Sequence, residues 1–141
     1  MVNLDYISMK TAQDMVAGSG NKSDKENLAT KSLGVLLENG PYGLILYLES
    51  HEKKDISHRY REQLLSLCDT NLIRKFLHEG SAPDIPTSGT FQTITAWLQA
   101  LAQNLDKYLF LKRLWQQALI YARYHAKALD EDTDREKEAT E

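Results

Sequence analysis

Residues 107–129 read KYLFLKRLWQQALIYARYHAKAL, and this stretch decides the fold because it is both strongly apolar and strongly basic. When successive residues are placed 100° apart, the apolar positions collect on one side of a helix. That side is formed by Leu111, Trp115, Ala118, Ala122 and Leu129, flanked by Tyr108, Leu114 and Ala126. The stretch therefore predicts a long amphipathic helix that packs its apolar face into a core.

The opposite arc of this helix is basic. It carries Lys112, Arg113, Arg123 and Lys127, with Tyr124 along one border. Surface cations are usually solvated or paired with acidic neighbours, so one interpretation is that this arc only confers solubility. The other is an RNA-binding face, in which the four cations contact phosphates and Tyr124 adds a hydrogen bond or stacking. The sequence leaves both open.

Two further basic clusters could extend such a face: Arg59 with Arg61, and Arg74 with Lys75. The sequence does not say whether they lie on the same side of the molecule as the basic arc.

Leu109 and Ile120 fall inside that arc although both are apolar, and they are three turns apart. An exposed apolar pair among cations predicts a protein interface.

The composition of the chain favours an all-α fold. Its 141 residues include 21 Leu and 12 Ala but only three Val and three Pro. Leu and Ala favour helices, whereas β-branched residues favour strands. A chain of this length suits one domain with one core. We therefore predict a compact bundle of about five to six helices.

Apolar spacing and turn residues predict where these helices lie. The first spans about 4–17, and the second begins near Asp24 behind a capping box formed by Ser23 and Glu26. The second helix ends at Asn39-Gly40, and Pro41 opens a short buried helix over 43–50. A long helix over 58–78, with a stripe of Leu64, Cys68, Leu72 and Phe76, precedes a loop at 79–89. A fifth helix from Phe91 buries Ile94, Leu98, Leu101 and Leu105, and a kink at Asn104 precedes the last helix.

The charge of the chain is unevenly distributed. Residues 130–141 contain seven acidic and two basic residues, a local charge of −5, whereas the rest of the chain carries +2. We expect a single helical domain over 1–129 and an acidic C-terminal tail over 130–141, frayed or disordered. The overall net charge of −3 is therefore no argument against an anionic partner.

Residue patterns that carry catalysis or bind metals are not evident. Cys68 is the only cysteine and lies in an apolar stripe, where a buried, inert thiol is expected. The four histidines have no spacing typical of a zinc site, and there is no phosphate-binding glycine loop. The sequence has no export signal and no membrane-spanning apolar run. We expect a cytoplasmic protein without catalytic activity, cofactor, metal or membrane contact.

Two segments resemble a known family. ENGPYGLILYLESHEK, residues 38–53, is similar to the junction of the second and third helices in the Cmr small subunit of type III-B CRISPR RNA-guided complexes, through Asn39, Gly40, Tyr47, Leu48 and Ser50. The C-terminal helix resembles that of the family in the spacing of Tyr108, Tyr121, Arg123, Tyr124, His125 and Ala126, with Arg123 where the family has lysine. Pro41 and Tyr124 depart from the family pattern, where leucine and arginine stand. The first helix agrees only in length and polarity.

The resemblance covers about 120 residues and implies a non-catalytic subunit of an antiviral defence complex. Such subunits stack in a minor filament with copies of themselves, beside the other subunits, where target RNA pairs with guide RNA. The basic arc would then contact RNA, and Leu109 with Ile120 would suit a subunit interface. The alternatives are a small subunit of another RNA-guided complex, or a helical protein–protein interaction module or regulator without RNA binding. A helix-turn-helix DNA-binding protein is disfavoured, because NGPYG leads into an apolar segment without side chains for base edges.

Overall fold

A computed structural model describes residues 3–18, 20–77, 86 and 90–140 of the chain. These residues form six helices and no strand, so the predicted all-α bundle is confirmed. The helices are α1 (Leu4–Val16), α2 (Lys22–Ser50), α3 (Lys54–Cys68), α4 (Asn71–Leu77), α5 (Phe91–Ala102) and α6 (Leu105–Thr140). The predicted loop at 79–89 lies outside the described residues, apart from Pro86.

Helix α6 organises the bundle, because α1 and α2 both pack along it. The predicted apolar face is confirmed: Leu111, Trp115, Ala118 and Ala122 are fully buried, while Leu129 is half-buried. The indole Nε1 of Trp115 donates a hydrogen bond to the Leu64 carbonyl at 3.1 Å, which ties α6 to α3. The face that remains is the basic arc, so packing leaves the cations on the outside.

The predicted break at Asn39-Gly40 is present as a kink within α2. Gly40 has φ 77° and ψ −177°, a conformation that is essentially restricted to glycine. Pro41 follows and is buried at the start of the second half of the helix. The hydroxyl oxygen of Tyr108 accepts a hydrogen bond from the Tyr42 N–H at 3.1 Å. The kink thus lies against the first turn of α6.

The predicted start of α2 is wrong by two residues. Asn21 is the N-cap, and its side-chain oxygen accepts a hydrogen bond from the Ser23 N–H at 2.7 Å. Because asparagine caps helices about as well as serine, the earlier residue can take this position. Ser23 therefore lies inside the helix, and no capping box forms with Glu26.

The predicted helix over 58–78 is also wrong, because the chain forms two helices there. α3 begins earlier, at Lys54, and ends at Cys68, where the Asp69 N–H bonds to the Ser66 carbonyl at 3.0 Å. The Thr70 hydroxyl donates to the Leu67 carbonyl at 3.0 Å. Short polar side chains compete for backbone groups in this way and end helices. Phe76 is 39% exposed as a result, whereas Leu64 and Cys68 are buried as predicted; the Leu72 side chain lies outside the described part.

The turn between α5 and α6 exposes a residue that the sequence predicts to be buried. Ile94, Leu98 and Leu101 lie in the core as expected, but Leu105 is 66% exposed. Helix α5 ends at Ala102, and the Asn104 side chain accepts a hydrogen bond from the Lys107 N–H at 3.2 Å. Leu105 is consequently the first residue of a new helix instead of the last of an old one. At its other end α6 continues to Thr140, and the division into a domain over 1–129 and an acidic tail stays a prediction.

Candidate nucleic-acid interface on α6

The five residues predicted to bind RNA lie along the outer side of α6. Arg113 and Lys127 are exposed, Lys112 and Arg123 are half-buried, and Tyr124 is 60% exposed. The apolar face of the helix is held by α1 and α2, so these side chains are fixed in direction by the packing behind them. We call Arg113, Arg123, Tyr124 and Lys127 the basic face.

The cations of the basic face have no acidic partner among the described residues. Among the residues whose side chains are described, which are 3–18, 20–70, 73–77, 86 and 90–129, there are four ion pairs, and none of them involves Arg113, Arg123 or Lys127. The guanidinium carbon of Arg123 lies 5.7 Å from the centre of the Tyr124 ring, a distance typical of cation–π contact. The Tyr124 ring and the Arg123 guanidinium are therefore adjacent, so that one ligand with an anionic group could contact both.

Lys112 is set apart from the other cations. Its Nζ donates to the Leu37 carbonyl at 3.4 Å. That carbonyl lies three residues before the kink at Gly40, where carbonyls lose their helical partners. A cation near the C-terminal end of a helical segment is favourable for the helix dipole. Lys112 thus stabilises the kink of α2, which the spacing of residues within α6 could not reveal.

The two further basic clusters are largely engaged in the fold. The Arg59 Nε donates to the Asp14 carbonyl at 2.6 Å, at the end of α1. Arg61 forms an ion pair with Glu49 at 2.5 Å, and Arg74 lies 3.6 Å from Asp69. Arg59 and Arg61 join helices and Arg74 lies near a local acidic residue, so these arginines do not enlarge the basic face, while Lys75 is exposed on α4.

Lys25, a buried residue that was not predicted to be functional, binds the backbone carbonyls at the C-terminal end of α1. Lys25 Nζ donates to the Val16 carbonyl at 2.8 Å and also to the Gly18 carbonyl. Burial, together with the nearby charges of Arg59 and Lys22, lowers the pKa of Lys25. The sequence gives no signal for this contact, because Lys25 lies in a polar stretch that does not predict burial.

The two residues predicted to form a protein interface differ in exposure. Leu109 is 47% exposed, whereas Ile120 is half-buried. Leu109 lies one turn before Lys112, whose amine reaches Leu37, and Leu37 is itself 48% exposed. Leu105 is exposed one turn before Leu109, so these two leucines form an exposed apolar pair at the start of α6, and Leu37 is exposed on α2.

Two open grooves run between α1 and α6 beside the basic face. One has a volume of about 380 Å³ and is lined by Leu4, Asp5, Ser8, Phe110, Arg113, Leu114 and Gln117. The other, of about 370 Å³, is lined by Met9, Ala12, Gln13, Tyr121, Tyr124 and His125. The Tyr121 hydroxyl donates to the Asp5 carboxylate, and this hydrogen bond raises the pKa of Tyr121.

The remaining chemistry of the described residues is sparse. Cys68 is fully buried, as predicted, and burial raises the pKa of its thiol to about 12. Within the described ranges, no three His, Cys, Asp or Glu residues are grouped so that they could hold a metal ion. None of the helices in these ranges has an apolar stretch sufficient to span a bilayer.

No family model matches the sequence, and no significant match was found among curated proteins or solved structures.

Proposed function

We propose that this protein is a non-catalytic small subunit of a Cmr-type, type III-B CRISPR ribonucleoprotein complex and contacts target RNA through the basic face of α6. The observation that carries the proposal is that Arg113, Arg123 and Lys127 have no acidic partner among the residues whose side chains are described, which on α6 end at Leu129. By contrast, Arg61 and Lys53 lie within ion-pair distance of Glu49 and Asp24. Charge left without a partner on one helix face is available for phosphates.

The two segments that resemble the family also meet in space. Tyr108 opens α6, and its hydroxyl bonds to the Tyr42 N–H just after the Asn39-Gly40 kink. This contact supports the proposal because it joins the two segments within one bundle, and the resemblance implies a compact helical bundle. The exposed leucines 37, 105 and 109 support contact with a neighbouring subunit, including another copy of this chain.

The alternative function is a helical protein–protein interaction module that binds no RNA. The exposed pair of Leu105 and Leu109 favours it, because exposed apolar groups that lie together commonly mark interfaces. In that case the basic face would be solvated surface.

Purification of the tagged chain from its native cells distinguishes the two. We expect a large particle that contains other complex subunits and short guide RNAs. Recovery of the chain alone, or with a single protein and no RNA, would contradict the proposal and favour the interaction module.

A charge-reversal variant then tests the basic face itself. Arg113→Glu, Arg123→Glu and Lys127→Glu together should weaken target RNA retention by the particle while the bundle stays folded. Loss of three phosphate contacts should reduce the slope of log affinity against log salt by roughly 2 for a single strand. Lys112 is left unchanged, because it also stabilises the kink. The matched control reverses Lys10, Lys31 and Lys54, which are exposed and belong to none of the predicted basic clusters; equal loss of RNA in both variants would assign the effect to net charge alone.

A further inference from the structure

The groove lined by Met9, Tyr121, Tyr124 and His125 opens directly beside the basic face, and Tyr124 belongs to both. We propose that this groove receives an unstacked nucleobase, so that the basic face binds single-stranded RNA in preference to duplex RNA. The inference rests on the proposed function, because the same cations would bind the phosphates next to that base.

Tyr124 is suited to stack on a base. Its side chain is 60% exposed although the flanking residues Arg123 and His125 are half-buried. The Arg123 guanidinium lies over the Tyr124 ring, which leaves the other face of the ring for a base. Base stacking on an aromatic ring tolerates any sequence, because every base has a π-face. A stacking ring between Arg123 and Lys127 would place the neighbouring phosphates within reach of both cations.

The other residues of the groove offer both apolar contacts for the face of a nucleobase and polar groups for its edge. Ala12 is buried at its floor, and Met9, 41% exposed, offers a polarisable thioether that packs well against aromatic rings. Gln13 and His125 can supply donors and acceptors to the edge of a base. The volume of about 370 Å³ lies at the small end of ligand-binding pockets, which suits one base better than a larger ligand.

The charge around the groove favours a nucleotide. Among the described residues that line it there is no carboxylate, whereas the neighbouring α1–α6 groove contains Asp5 and a groove between α1 and α3 contains Asp14. The lining of this groove therefore adds no negative charge of its own, and the Asp5 carboxylate that bonds to Tyr121 lies in the neighbouring groove. In a duplex every base is stacked and paired, so only a single strand can turn a base into the groove.

Binding and crosslinking of defined RNAs test the proposal. The probe is a fluorescent oligouridine of about 15 nucleotides containing 4-thiouridine, compared with a duplex of the same length at low salt. Both the isolated chain and the purified particle are titrated, and crosslinked peptides are mapped by mass spectrometry. We expect tighter binding of the single strand and crosslinks within residues 121–125.

Variants of two equally exposed tyrosines supply the control. Tyr124→Ala should weaken single-strand binding at least about fivefold with an unchanged salt slope, whereas Tyr124→Phe should bind like the wild type because the ring remains. Tyr6, also 60% exposed, lies on α1 outside the groove, so Tyr6→Ala should have no effect. Circular dichroism checks that each variant is folded.

These experiments distinguish a failure of the proposed base site from a failure of the proposed RNA-binding function. If Tyr124→Ala binds like the wild type, or if duplex and single strand bind equally, the base site is wrong although charge reversal of the basic face still weakens binding. If Tyr124→Ala loses a co-purifying protein and keeps its RNA affinity, the groove binds a peptide instead. No single-strand binding by either the isolated chain or the particle overturns both proposals.

Discussion

The hydroxyl oxygen of Tyr108 accepts a hydrogen bond from the backbone N–H of Tyr42, across 66 residues of sequence. Tyr42 follows the kink of α2, where the first N–H groups of the new helical segment have no helical partner. A side-chain carbon added at Gly40 would lie 3.6 Å from the same hydroxyl. The start of α6 and the kink of α2 therefore fix each other's position.

Removal of this hydroxyl should destabilise the bundle. Tyr108→Phe leaves the partly buried Tyr42 N–H without its partner, and we expect a loss of about 1 kcal/mol in the free energy of unfolding. Urea unfolding monitored by circular dichroism measures it. The matched control is Tyr6→Phe, at an exposed ring, which should change the free energy of unfolding by less than about 0.5 kcal/mol. Equal stability of the two variants would contradict the role given to Tyr108.

Two glycines of α2 should respond to alanine in opposite directions. Gly40 has a φ of 77°, which alanine rarely adopts, so Gly40→Ala should lower the free energy of unfolding by about 1–3 kcal/mol. Gly34 lies in the exposed, regular part of the helix with open space around it. Gly34→Ala should raise the free energy of unfolding by roughly 0.5–1 kcal/mol. Thermal unfolding of both variants checks the signs, and a stabilising Gly40→Ala would be incompatible with the kink.

The Cys68 thiol should be protected from labelling in the folded protein. It is fully buried, and its pKa of about 12 keeps it protonated at neutral pH, while the thiolate is the reactive form. A thiol reagent should therefore react only as the protein unfolds. The control combines Cys68→Ala with Ser66→Cys, because residue 66 is exposed two positions away on the same helix. Rapid labelling of native Cys68 would disprove its burial.

Alkaline pH should reduce the stability that depends on Cys68. The thiol ionises near pH 9 when unfolded but near 12 when folded, so the folded state holds more protons between these values. The stabilisation is complete below pH 9 and is lost as the pH rises toward 12, with a slope approaching about 1.4 kcal/mol per pH unit. The Cys68→Ala variant lacks this titration. The difference in unfolding free energy between the wild type and this variant should fall from about pH 9 upward. A difference that stays constant with pH would contradict the raised pKa of the Cys68 thiol.

Predictions made within one helix succeeded where apolar spacing was regular. Burial of Leu111, Trp115 and Ala118 follows from a 3.6-residue period, which needs no knowledge of the partner helices. Predictions of boundaries failed where several polar residues compete for the same backbone groups. Asn21 and Ser23 are both good caps, and in the structure Asn21 takes the position, with its side-chain oxygen accepting from the Ser23 N–H.

The sequence predicted a set of surface cations, and the structure shows that some of them bind groups within the bundle while others have no such partner. Arg59, Arg61 and Lys112 carry charges like those of Arg113 and Lys127, yet they bind carbonyls or a carboxylate within the bundle. Their partners lie 45, 12 and 75 residues away in sequence, so no local pattern could identify them. The groove at Tyr124 escaped prediction for the same reason, because α1 supplies half of its lining.

The sequence by itself determined the helical class, the buried face of α6 and the break at Gly40, because helix propensity, apolar period and glycine conformation act over a few neighbouring residues. The tertiary structure decided which cations remain without partners, which apolar residues stay exposed and where α1 and α6 leave a groove. These properties depend on contacts between residues distant in sequence, and such contacts exist only once the helices have packed.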